Sequence, residues 1–248
     1  MFFAALLASA SADTVSRFAL GQDPVFHIET LPIPPLGLLP LFFVLGMGAG
    51  LFGTLFNRAI LSSMDVFARI EHQPVLVPGL IVGLAVGAVA CVDPALLGGG
   101  HHLAEEALAG QLAFGAVGLF FVLRFGLTLV CYGSGAPAGI FAPLLVLGAL
   151  GGLALGQLAQ ALYPLAIEHP QTFAVVGMAA LFASVVRAPL TGVVLIVEMT
   201  AEHSLMLPLM VACLTSYFVA DVLGSRPLYA SLMARDLERQ RLRLQQPT

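Results

Sequence analysis

The chain is short of charge and has no lysine. Only 10% of its 248 residues are charged, and all ten bases are arginine. A soluble domain uses roughly a quarter charged residues to cover its water-facing surface. Too few are available here, which excludes a soluble globular enzyme. A disordered chain is excluded as well, because disorder needs low hydrophobicity and high charge. The net charge of −4 offers no basic field for nucleic acid. Cysteine is also scarce. Cys91, Cys131 and Cys213 are odd in number, lack a Cys-x-x-Cys pair and lie inside apolar runs. They read as small buried apolar side chains, not as disulfides or metal ligands. No Ser-His-Asp or Cys-His set, phosphate-binding loop or dinucleotide fingerprint occurs, so neither an enzyme nor a cofactor is expected.

What the chain has in abundance is apolar surface. Fifty-nine per cent of residues are hydrophobic and the mean hydropathy is +0.98. Long continuous apolar runs without strand alternation predict an all-α polytopic protein in a lipid bilayer. Arg226, Arg235, Arg239, Arg241 and Arg243 crowd the tail, and Arg58 and Arg69 mark another segment end. The positive-inside rule places both regions, and so the C-terminus, in the cytoplasm. The cell's inner (plasma) membrane is the expected location.

The first twelve residues, MFFAALLASASA, are apolar but too short to span. They read either as a signal peptide without its basic start or as part of a longer membrane helix. Residues 21–40 hold five prolines and form a loop. A strong helix follows over 36–70, with Gly46, Gly48, Gly50 and Gly53 suited to close helix approach. Asn57, Arg58, Asp65 and Arg69 predict that it emerges into water in its second half. A span opened by Pro74 and Pro78 covers 75–92. A short polar helix covers 101–110, and another span covers 113–132. Residues 172–186 and 188–200 are apolar stretches broken at Arg187-Ala188-Pro189, each below the ~20 residues that cross a bilayer. Residues 205–223 make one more span, and the tail from Pro227 reads as a charged amphipathic helix. The membrane domain is therefore 1–226, with a partial helix at 1–12, and the tail is 227–248. Broken helices leave backbone groups open inside lipid, which is tolerated where they line a cavity or bind something. That points to a transporter or channel.

The segment GSGAPAGIFAP, 133–143, is where binding chemistry fits best. Its prolines predict a helix starting between Gly139 and Pro143. The first N–H groups, around Ile140 and Phe141, then lack intrahelical acceptors and sit at the positive end of the macrodipole. With no acid in the segment, a small anion is the fitting ligand. A glycine-rich kink for close packing is the competing reading.

GSGAPAGIFAP, GMAALFASVVRAPLTGVVLIVEMT and GSRPLY, in this order and spacing, resemble the C-terminal half of the CLC chloride channel and chloride/proton antiporter family, bacterial type. The resemblance covers most of the chain. It implies the second inverted repeat of that fold and chloride transport, as a voltage-gated channel or a chloride/proton antiporter. It also implies a homodimer joined through 188–200 and 205–223. By the resemblance, chloride is bound at Gly139, Ile140 and Phe141, and Tyr229 donates its hydroxyl. From its surroundings alone Tyr229 reads as an interface anchor. The family's GSGIP-type serine and GREGP-type glutamate motifs do not occur here. The expectation is half a pore, completed by an N-terminal half. The alternatives are a non-transporting truncated product or a membrane partner of an intact homologue.

The remaining polar residues have two readings each. His101 and Glu105, and His102 and Glu106, form i,i+4 pairs that suit a metal or, more simply, a short extramembrane helix. Arg124 either raises the local potential for anions or has a structural role, and Arg187, next to a helix break, either contacts ions or bonds exposed backbone carbonyls. Glu198 is either a proton carrier or a structural acid.

Overall fold

The computed structural model describes every residue except 1, 22–23, 27–30, 71–75, 136–138, 166 and 246–248. Ten α-helices and no strand are found among the described residues: α1 (Phe2–Leu20), α2 (Leu39–Ile70), α3 (Leu76–Ala90), α4 (His101–Leu108), α5 (Phe114–Gly133), α6 (Phe141–Leu162), α7 (Gln171–Val186), α8 (Pro189–Thr200), α9 (Met206–Val222) and α10 (Leu228–Gln245). Four helical segments, at 36–69, 114–133, 141–162 and 203–222, are long and apolar enough to cross a membrane. Large apolar side chains such as Leu84, Val122 and Phe218 face outward, as lipid permits. The 12 residues of α8 rise only about 18 Å at 1.5 Å each, well short of a ~30 Å hydrocarbon core.

At the centre lies α7. Every residue from Thr172 to Val185 is buried, so no face of it reaches the outside. Such a helix must be met by backbone on several sides, and glycine makes that possible. A Cβ at Gly148 of α6 would lie 2.6 Å from the Gly177 carbonyl oxygen, and one at Gly152 would strike the Phe173 carbonyl. On another side Gly53 of α2 lies against Ser184, whose hydroxyl donates to the Ala49 carbonyl at 3.0 Å. From α9, the Ser216 hydroxyl donates to the Ala180 carbonyl at 2.8 Å. Gly46 and Gly50 bring α2 equally close to α9, with Cβ positions 2.6 Å from the Ala212 oxygen and 2.7 Å from the Val219 Cβ. Gly48, grouped with these from the sequence, has open space beside it.

Three sequence expectations change. The partial helix at 1–12 extends to Leu20, because its polar residues are satisfied within it. Ser11 and Thr14 bond back to the carbonyls of Leu7 and Ala10, and Arg17 pairs with Asp13 at 2.9 Å. The helix at 101–108 is not polar all round, since Leu103, Ala104, Ala107 and Leu108 are buried. Asn57 does not mark emergence into water; it is 3% exposed and bonded inside the protein. Pro74 lies outside the described residues.

The proline-rich loop is tied down by a carboxylate that the sequence did not single out. Glu202 is 6% exposed. It accepts a hydrogen bond from the Leu31 N–H at 3.1 Å and from the Ser204 hydroxyl at 2.8 Å.

Two outcomes follow from this packing. Gly148→Ala should destabilise the protein by about 1–3 kcal/mol, the range for overpacking, whereas Gly126→Ala, where a Cβ meets nothing within 4 Å, should not. Thermal unfolding in detergent compares the two. Glu202→Ala leaves the Leu31 N–H without its acceptor, a loss of about 1–3 kcal/mol. Hydrogen exchange should speed up at Leu31 while α7 stays protected.

Candidate functional site

The site is built around the start of α6. Ile140 is its N-cap, in helical conformation, and no side chain caps it. Pro143 occupies the third helical position and has no N–H to donate. That leaves the N–H groups of Ile140, Phe141 and Ala142 at the helix mouth. None of the described residues accepts from them, the first bond of the turn being Leu144 N–H to the Ile140 carbonyl at 3.1 Å. Ala136, Pro137 and Ala138 of the same motif lie outside the described residues.

The side chains explain why this mouth is fixed. Ile140 is 3% exposed and packs with Phe56, Leu144, Leu181 and Leu228 in one apolar cluster. The Phe141 ring lies edge-on to Phe182, with centroids 6.0 Å apart. Leu228 is fully buried in that cluster. The same apolar contact therefore seats the start of α6 and the start of α10, where Tyr229 follows.

Two cavities meet at this point. One, of about 550 Å³, is lined by Gly139, Phe141, Ala142 and Pro143 facing Arg124 and Thr128 of α5. The other, of about 290 Å³, runs from Phe141 and Ala142 to Phe26, His101 and Met199. Phe141 stands between them. Among the described residues lining the larger cavity there is no carboxylate. Tyr229 lines neither cavity; its side chain is about half exposed. Of the residues singled out from sequence, Gly139 and Phe141 thus share a cavity wall. Ile140 turns its side chain into the core, and Tyr229 stands on the α10 side.

The two arginines are engaged with backbone. Arg124, 2% exposed, donates to the carbonyls of Leu96 at 2.6 Å and Gly98 at 2.7 Å. Arg187 donates to the carbonyls of Tyr217 at 2.6 Å and Ser225 at 2.7 Å, and lies over the Tyr217 ring. Both follow the structural reading. The metal reading of the histidines gains nothing. His102 lies 3.6 Å from Glu105 on an exposed surface, and no group of three or more candidate ligands is found among the described residues. Glu198 is exposed on α8, away from both cavities. Sequence reasoning took Asn57 for a mark of emergence into water and passed over Glu202. A lone amide in an apolar run was the available signal for the first.

Comparison with known proteins places this geometry. The family model described as voltage gated chloride channel matches residues 1–221. The chain is 40% identical to the H(+)/Cl(−) exchange transporter ClcA of Vibrio parahaemolyticus, over 98% of this chain and 52% of that protein. It is 42% identical to the protein of the same name from Klebsiella pneumoniae, over 91% and 48%. Among solved structures, a slow cyanobacterial Cl−/H+ antiporter matches with a TM-score of 0.85 and 36% identity, covering 91% of this chain and 53% of that one. The chain spans about half the length of the curated relatives it matches.

Arg124→Met should free the carbonyls of Leu96 and Gly98. Each charge-assisted bond lost is worth roughly 1.5–3 kcal/mol. Limited proteolysis should then cut within 93–100 first, while the helical content measured by circular dichroism changes little.

Proposed function

Since the chain belongs to the voltage gated chloride channel family, we propose that it forms one side of a chloride path and works in chloride/proton exchange. Chloride is held by the N–H groups of Ile140 and Phe141, with Gly139 leaving room for the ion and the Tyr229 hydroxyl donating from α10. The observation that supports this most is the mouth of α6. It offers three amide donors beside a cavity whose described lining has no carboxylate.

The chemistry suits an ion that must bind and leave. Backbone amides at a helix start supply partial positive charge without a full counter-charge. Arg124 is nearby, but its guanidinium is engaged by two carbonyls, so it biases the potential without trapping the ion. Phe141, between the two cavities, would separate chloride on one side from chloride on the other. The family's serine and glutamate motifs, which the resemblance assigns to the other half of the pore, would complete the ligand set and supply proton coupling. We further place the protein in the plasma membrane as a homodimer through α8 and α9, with α10 cytoplasmic. The relatives named as exchange transporters support the transport reading, and the arginines of the tail support its cytoplasmic side.

The test is uptake of radioactive chloride into vesicles that hold this chain together with an N-terminal half. Saturable uptake above that of empty vesicles is expected. Tyr229→Phe should weaken the apparent chloride affinity about tenfold, the size of one hydrogen bond to a charged group. Uptake indistinguishable from empty vesicles contradicts the proposal.

A further inference from the structure

The connection between α9 and α10, residues 223–227, enters α10 just before Tyr229. It is held by two buried polar side chains from distant parts of the chain. Asn57 of α2 donates through Nδ2 to the Ser225 hydroxyl and the Arg226 carbonyl, each at 3.2 Å. Arg187, at the break between α7 and α8, donates through Nη2 to the Ser225 carbonyl at 2.7 Å and through Nη1 to the Tyr217 carbonyl at 2.6 Å. Its fork joins the last turns of α9 to the connection that follows them. Three of the four bonds end on Ser225 or Arg226, three to four residues before the tyrosine.

These contacts are costly to keep. Asn57 is 3% exposed and its Oδ1 is buried without a partner among the described residues. Arg187 leaves Nε in the same state and holds a left-handed backbone at φ 68°. A non-glycine residue there is strained by about 1 kcal/mol or more. Apolar side chains would fill the space without leaving buried polar atoms unpaired, although any of them at 187 would keep the backbone strain. What they could not do is fix the carbonyls and hydroxyl of the connection in direction and register, which is what directional bonds supply. The left-handed turn at Arg187 also leaves α7 at the point where its side chain can reach across to α9.

We propose that Asn57 and Arg187 are positioning residues for Tyr229, setting the register of α10 against the mouth of α6. The inference rests on the chloride role proposed for Tyr229. Neither side chain lines the cavities beside Phe141, so neither touches the ion path directly. Arg187 itself lies 3.6 Å from Asp221, and further along α10 Arg235 pairs with Asp65 of α2 at 2.9 Å and donates to the Leu61 carbonyl at 3.0 Å. At the connection itself the N–H groups of Gly224 and Ser225 close the turn onto the Asp221 and Ala220 carbonyls, and Asn57 and Arg187 tie that turn to α2 and to the α7–α8 break.

The test uses Asn57→Leu, which removes the donors at similar volume, and Arg187→Lys, which keeps the charge but loses the fork. Two readouts are taken in the vesicle system above. The first is a spin-label distance between exposed positions Met233 on α10 and Leu158 on α6, with the three native cysteines replaced. The second is apparent chloride affinity, in the presence of Tyr229 and of Tyr229→Phe. Both variants should shift or broaden the distance. They should weaken affinity about fivefold or more with Tyr229 present, and less than twofold with Tyr229→Phe. Glu168→Gln, exposed between α6 and α7, should change neither readout. An unchanged distance, or equal weakening in both backgrounds, overturns the positioning role while leaving the chloride role intact. If Tyr229→Phe itself leaves affinity unchanged, the chloride role of Tyr229 fails and this inference fails with it, whatever the distance shows.

Discussion

Backbone contact between α6 and α7 is the constraint on which the other elements depend. In lipid, helices gain little by hiding apolar side chains from tails that are equally apolar. Close packing has to hold them together, and close packing needs small residues. Gly148 and Gly152 on α6, with Gly177 on α7, let two main chains meet where a single Cβ would clash. Because α7 is then enclosed on all sides, α2 and α9 have to approach it through their own small residues and serine hydroxyls. A rigid α7 in turn gives the start of α6 a fixed wall, through Leu181 and Phe182.

That wall explains how a helix can begin inside a membrane protein with amides beside a cavity that bond to none of the described residues. Unbonded N–H groups are expensive in an apolar setting unless something binds them. Here they open at the end of a helix whose side chains are locked by packing, so the cost is borne in place and the donors do not rearrange. A site made this way has direction and partial charge but no fixed counter-ion. It is suited to an anion in transit more than to one held permanently.

Much of this was legible in the sequence, and for reasons that can be named. Proline and glycine punctuate the chain strongly, so the helix starts at Phe141 and Pro189 and the break at Arg187 were readable within a residue or two. Arg187 could be assigned to carbonyls because a buried guanidinium beside a helix break has little else to bond, whereas Arg124, inside an apolar span, kept two readings until its bonds to Leu96 and Gly98 were seen. What was not legible depended on partners far away in the chain. Glu202 bonds Leu31 across 171 positions, and Asn57 bonds Arg226 across 169, so no local pattern announces either. Asn57, followed by Arg58, instead looked like a helix leaving the membrane. The twelve-residue stub was misjudged for a different reason. Its serine, threonine and Asp13–Arg17 pair satisfy one another at helical spacing, and a composition shift does not reveal that.

The central claim is that the amides opening α6 are the anion ligands. Selective labelling of isoleucine and phenylalanine with nitrogen-15, in the chain assembled with an N-terminal half in nanodiscs, lets those two N–H groups be followed directly. Titrating chloride against gluconate should move the Ile140 and Phe141 resonances saturably and together, while Phe173, buried in the first turn of α7, stays still. If Ile140 and Phe141 do not respond to chloride while the assembly transports it, the ion is bound elsewhere and the account is wrong.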